Sequence, residues 1–144
     1  MAPGCGSSPS PPAVDELQSQ LELARRDSEL ATAAAAAELG QLAAALREVA
    51  LERSRHAQAL ATEIDRVAGR STTTSSAPPG PVATGPAAPL PSLSDVVDAL
   101  HNSAESAARL AATLSGYRAG LLGSIAASCT AAYTVALVVG GPKP

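Results

Sequence analysis

Apolar residues recur at steps of three and four along the first half of the chain: Val14, Leu17, Leu21, Ala24, Ala31, Ala35, Leu39, Leu42, Leu46, Val49, Leu60, Ile64 and Val67. Steps of that size line one face of a helix. Ser28, Arg53 and His56 interrupt the stripe with polar side chains on the same face. Ser10 before Pro11-Pro12, with Asp15 and Glu16 just after, reads as an N-cap, prolines in the first turn and acids that favour the helix dipole. Arg66, Gly69 and Arg70 read as the C-terminal turn. One helix over 14–68 would be about 80 Å long, well beyond the usual soluble helix. Gly40, beside the Ala33–Ala37 run, marks a break near Glu38–Gln41. The alternative is a hairpin of two uninterrupted long helices.

Residues 70–92 are rich in Pro, Ser and Thr and cannot continue a helix or bury themselves. Regularity returns at Ser92, an N-cap with Asp95 in the first turn. The second stripe runs Leu93, Val96, Leu100, Ala104, Ala107, Ala111 and Leu114, and Ser115-Gly116 stops it. A fourth segment, Tyr117–Val139, closes at Gly140-Gly141-Pro142. The pattern therefore predicts an all-α, up-down four-helix bundle with two short turns and one long connector. Residues 1–13 form a Gly/Ser/Pro-rich tail, 14–69 the first helical hairpin, 70–92 the connector, and 93–140 the second hairpin of the same domain.

Composition sharpens this picture. Roughly a quarter of the residues are alanine, far above ordinary usage, and Phe and Trp are absent. Alanine favours helix and lets helices approach closely. Ala119–Val139 carries no charge over a membrane-spanning length. Its small residues also suit a helix buried on several sides within a tight bundle, and that reading is preferred. The net charge of −3, without a basic block, argues against a nucleic-acid partner.

Candidate chemistry is sparse. No nucleophile elbow, phosphate-cradling glycine loop or paired CxxC motif is present, so the chain does not read as an enzyme. Cys129, on an alanine face, reads as a small buried hydrophobe. Tyr117 and Tyr133 read as anchors at helix ends or gaps. Arg25, Arg26, Arg47, Arg53 and Arg55, interleaved with Glu22, Glu29, Glu48 and Glu52, read as a solvated mixed-charge face. A docking surface for a partner helix is the sharper alternative.

The segment Gly4-Cys5-Gly6-Ser7-Ser8-Pro9 resembles the mature start of a bacterial lipoprotein, with Cys5 as the acylated residue. A start at Met1 leaves only four residues before Cys5, too few for a secretory signal. The expected address is thus the cell envelope, or the cytoplasm if Met1 is the true start.

Arg26-Asp27-Ser28-Glu29-Leu30-Ala31-Thr32-Ala33, Glu52-Arg53-Ser54-Arg55-His56-Ala57-Gln58-Ala59-Leu60 and the stretch from Gly116 to Ile125 together resemble an alanine-rich family of mycobacteria and related actinobacteria. Its members are uncharacterised, often described as lipoproteins or membrane proteins, and similar to ferritin-like domains of unknown function. The resemblance implies a ferritin-like four-helix bundle in the cell envelope and carries no activity with it.

A ferritin-like bundle raises the question of iron. A di-iron site draws carboxylates from two helices and a Glu-x-x-His pair from each of the other two. Glu52 and His56 are four apart, Asp98 and His101 three, with Glu105 one turn on, and the last helix has neither acid nor histidine. The preferred reading is a half-buried His56 balanced by Glu52, with His101 on a solvated rim. The alternative is a weak metal site drawn from Glu52, His56, Asp98, His101 and Glu105, with iron as its ion. The expected function is a non-catalytic helical module of the bacterial cell envelope, associated with the membrane through Cys5 or the 119–139 helix. It would act through protein or lipid contacts, including a homo-oligomer. A degenerate ferritin-like metal-binding or redox protein is the alternative.

Overall fold

The computed structural model describes residues 12–69 and 88–139 and is an all-α four-helix bundle. Helix α1 spans Pro12–Ala37, α2 Gly40–Val67, α3 Leu93–Ala111 and α4 Gly116–Ala131. α4 continues through a π-helical segment, Ala132–Ala136, into a last turn, α5, Leu137–Val139.

The break between α1 and α2 falls at Glu38-Leu39, inside the interval read from the sequence. Gly40 takes φ +61° and Gly116, at the start of α4, also takes φ +61°. A side chain at that φ costs roughly 1–2 kcal/mol, so each hairpin turn needs a glycine. Ser92 caps α3 as expected: its backbone N–H donates to Asp95 Oδ2 at 2.7 Å, and its Oγ accepts from the Asp95 backbone N–H at 3.3 Å. The Ser10 cap read for the first helix lies outside the described residues.

Leu17, Leu46, Leu60, Leu100, Leu122 and Ile125 are fully buried along the bundle axis. Each stabilises the fold by about 1.5–3 kcal/mol through burial. Ala24, Ala31 and Ala107 have no exposed surface and let α1, α2 and α3 approach closely. Leu39 departs from the expected stripe, being 90% exposed in the turn. The helix has already ended there, so its place in the periodicity no longer fixes where it points.

Cross-hairpin bonds give the direction of each helix. Gln20 Nε2 donates to Ser106 Oγ at 2.7 Å and Ser103 Oγ to Asp27 Oδ2 at 2.6 Å, so α1 and α3 run antiparallel. Ser128 Oγ donates to Glu52, and Arg118 lies 4.0 Å from Glu63, so α2 and α4 are antiparallel as well. Each hairpin is up-down internally, and α2 and α3 run parallel to one another. The chain leaves the bundle after α2 at one end and enters α3 at the other. The hairpins meet chiefly through α1 and α3, whereas α2 and α4 approach less closely. That uneven closure opens a groove along one seam.

Candidate functional site: a buried polar layer and an open seam

Every helix contributes a side chain to a polar layer near the middle of the bundle. Asp27 of α1 and Arg53 of α2 are 1% and 2% exposed. Arg53 Nη2 lies 2.9 Å from Asp27 Oδ2, and Arg53 Nε donates to the same oxygen at 3.1 Å. Ser103 Oγ of α3 is the third donor to that oxygen. Asp27 Oδ1 has no hydrogen-bond partner among the described residues. Burial raises the Asp27 carboxyl above its ordinary range, while the Ser103 hydrogen bond and the Arg53 charge act against that rise.

Two further groups lie beside this ion pair. Arg53 Nη1 approaches His56 Nδ1 at 3.1 Å. A guanidinium only donates, so Nδ1 is the acceptor and the ring carries its proton on Nε2. Burial first, and the Arg53 charge second, lower the His56 pKa below its ordinary value. Cys129 of α4 is buried, and burial pushes its thiol up to about 11. A thiol that stays protonated at neutral pH is a poor nucleophile. The layer thus pairs a neutral imidazole with a cation and holds a protonated thiol, an arrangement suited to structure more than to chemistry.

The structure revises the sequence reading here. Arg53 does not belong to the solvated arginine face; it is a core residue. His56 is half-buried as expected and the Glu52 charge acts on it, but its hydrogen bond is with Arg53. Asp27 and Ser103 were missed, although their spacing revealed them: Asp27 sits three after Ala24 and four before Ala31, and Ser103 three after Leu100 and four before Ala107.

The five candidate ligands do not converge. Glu52, half-buried, accepts from Ser128 on the α2–α4 seam. Asp98, His101 and Glu105 lie on the exposed face of α3, with His101 Nε2 3.9 Å from Glu105 and Arg109 3.5 Å from the same carboxylate. The His101 ring meets Tyr133 edge-on, with centroids 5.3 Å apart. Among the described residues no three His, Cys, Asp or Glu side chains are gathered as metal ligands. Cys5, the lipidation candidate, lies outside the described residues.

α4 is buried on one stripe and not on several sides. Leu122, Ile125, Ala126 and Cys129 turn inward, while Gly120, Gly123, Ser124, Ala127 and Ala131 face outward. The stretch Gly116–Ala136 is long and apolar enough to cross a membrane, yet only 22% of its most apolar window is buried. Thr130 and Thr134 hydrogen-bond back to the carbonyls of Ala126 and Thr130, at 2.9 and 2.6 Å. Such back-bonding perturbs a helix, and the π-helical segment begins in this region. Four of the six large apolar side chains exposed among the described residues, Leu39, Leu90, Val135 and Val138, lie at the end of the bundle where α2 and α3 begin.

Between α2 and α4, toward that same end, the open seam forms a groove of about 520 Å³. Ala45 and Val49 form its α2 wall and Ala131, Ala132 and Val135 its α4 wall, with Glu48 and Glu52 along the α2 rim. No family model, curated protein or solved structure matches this chain.

Proposed function

We propose that the protein is a non-catalytic four-helix module of the bacterial cell envelope that works at a membrane surface through lipid or protein contacts. One observation carries this reading: Leu39, Leu90, Val135 and Val138 are exposed together at one end of the bundle, next to a helix without charge from Ala119 to Ala136. Exposed apolar patches of this kind mark interaction surfaces. An uncharged helix face also meets lipid without the cost of moving charge out of water. The long single crossover between antiparallel hairpins is also the connectivity of ferritin-like bundles, in keeping with the family resemblance. The polar layer supports a non-catalytic role, because its thiol is protonated at neutral pH and its histidine is turned toward a guanidinium.

Flotation with phospholipid vesicles tests the reading. The wild-type chain is expected to float with vesicles, and a Leu39→Asp/Val138→Asp variant to remain at the bottom while keeping its helical circular dichroism. A wild-type chain that stays in the soluble fraction at all vesicle concentrations would refute the membrane role. Carbonate extraction then separates the two modes: a bundle lying on the surface is released, and a spanning α4 is retained.

A further inference from the structure

We propose that the groove between α2 and α4 binds a small amphiphilic primary amine, its apolar body between Val49 and Ala132 and its ammonium at Glu48 and Glu52. The first argument is packing. Alanine-lined helix surfaces ordinarily close to an interaxial distance of about 8 Å. Here Ala45 faces Ala131, Ala132 and Ala136 across a seam that stays open by about 520 Å³. That volume lies in the range of small-molecule sites, which are mostly apolar with a few placed polar groups.

The second argument is charge. Glu48 and Glu52 stand one helical turn apart on a single wall, where like charges repel. Neither carboxylate has a basic side chain within 4.0 Å among the described residues. Among the described residues the facing wall has no charge to offer: Arg118, on the first turn of α4, lies by Glu63 at the opposite end. An anionic amphiphile would add a third negative charge, and a neutral one would leave the repulsion unrelieved. A cation placed between the two carboxylates removes it.

The third argument selects the kind of cation. Quaternary ammonium groups are held by aromatic faces, and no aromatic residue lines this groove. A primary ammonium has three N–H donors, enough to reach both carboxylates, while Ser128 already occupies part of Glu52. The inference does not rest on the membrane reading, and lipid-free solution keeps the two separately testable.

The test titrates the protein with decylammonium, decyltrimethylammonium, decanol and decanoate below their micelle thresholds, following backbone amide shifts by NMR. Decylammonium is expected to bind most tightly and to shift the amides of Val49, Ser128 and Ala132. Glu48→Gln should weaken decylammonium by about tenfold and leave decanol unchanged. An Ala45→Leu/Ala136→Leu variant, which fills the groove from both walls and is checked for wild-type helical circular dichroism, should lose both. Equal binding of decanoate or decyltrimethylammonium overturns the assignment, as does undiminished binding to the filled variant or no binding of any probe. A wild-type dimer that the filled variant abolishes would assign the groove to a second copy of the chain and overturn it likewise.

Discussion

Replacing Arg53 with methionine removes the cation from the centre of the bundle and leaves its partner behind. Asp27 would retain Ser103 as a donor, but a carboxylate that is 1% exposed would keep only the weaker influence of Arg26 as counter-charge. Breaking a buried pair from one side costs about 3–5 kcal/mol, a large share of the roughly 5–15 kcal/mol that holds a domain of this size together. Protonation limits the loss. Without Arg53 the Asp27 carboxyl rises further above its unfolded value, so the folded variant binds a proton more readily than the unfolded chain. Stability of such a group falls as pH rises through the folded pKa, so acidification restores it, by at most about 1.4 kcal/mol per pH unit. Arg53→Met should therefore lose about 3–5 kcal/mol at pH 7.5 in urea melts followed at 222 nm, and the gap to wild type should narrow at pH 5. The paired change Asp27→Leu/Arg53→Met removes both charges and should recover most of the loss, since apolar replacement of a buried pair is often neutral or better. The freed Ser103 hydroxyl can turn to a carbonyl one turn back. A single variant losing less than about 1 kcal/mol, where a broken buried pair should lose at least 3, or a double variant no more stable than the single, would refute the reasoning.

Two further outcomes follow from the same layer. The folded-state pKa of His56 lies below its unfolded value, so between the two the unfolded chain holds more protons and stability falls on acidification. His56→Gln should remove that part of the acid sensitivity between pH 7.5 and 5; an unchanged pH slope relative to wild type would count against a neutral, buried imidazole. Cys129, with its thiol near 11, should resist iodoacetamide at pH 8 in the native protein and react once urea unfolds it, as read by mass spectrometry. Rapid alkylation of the folded chain would show that the thiol is neither buried nor protonated.

The helices were legible because their signals are local. Gly40 and Gly116 mark turns wherever the backbone needs positive φ, and the reciprocal bonds of Ser92 and Asp95 lie three residues apart. Leu39 misled because the stripe stays in phase across the break, and periodicity alone does not register that the helix has stopped. Arg53 was read two ways, on the apolar face by spacing and among surface arginines by composition. Only Asp27, 26 residues away in sequence, decides between them. Ser28 drew attention one position from the residue that matters. α4 was the least legible because small uncharged residues surround it on every side, so no face stands out as the one to bury.

That same blandness gives the polar layer its purpose. Leucine and alanine at successive turns allow neighbouring registers between helices to bury similar apolar area, so apolar packing alone specifies the alignment weakly. An Arg53 that must meet Asp27, and an Asp27 that must meet Ser103, penalise any slip by leaving buried charges unpaired, the best-attested use of such groups. Stability and uniqueness should then separate in the Asp27→Leu/Arg53→Met variant. Its melting midpoint should hold near wild type while its amide NMR spectrum doubles or broadens along α1, α2 and α3. A single sharp set of resonances would mean that the leucine knobs, Leu17, Leu46, Leu60 and Leu100, fix the register without help.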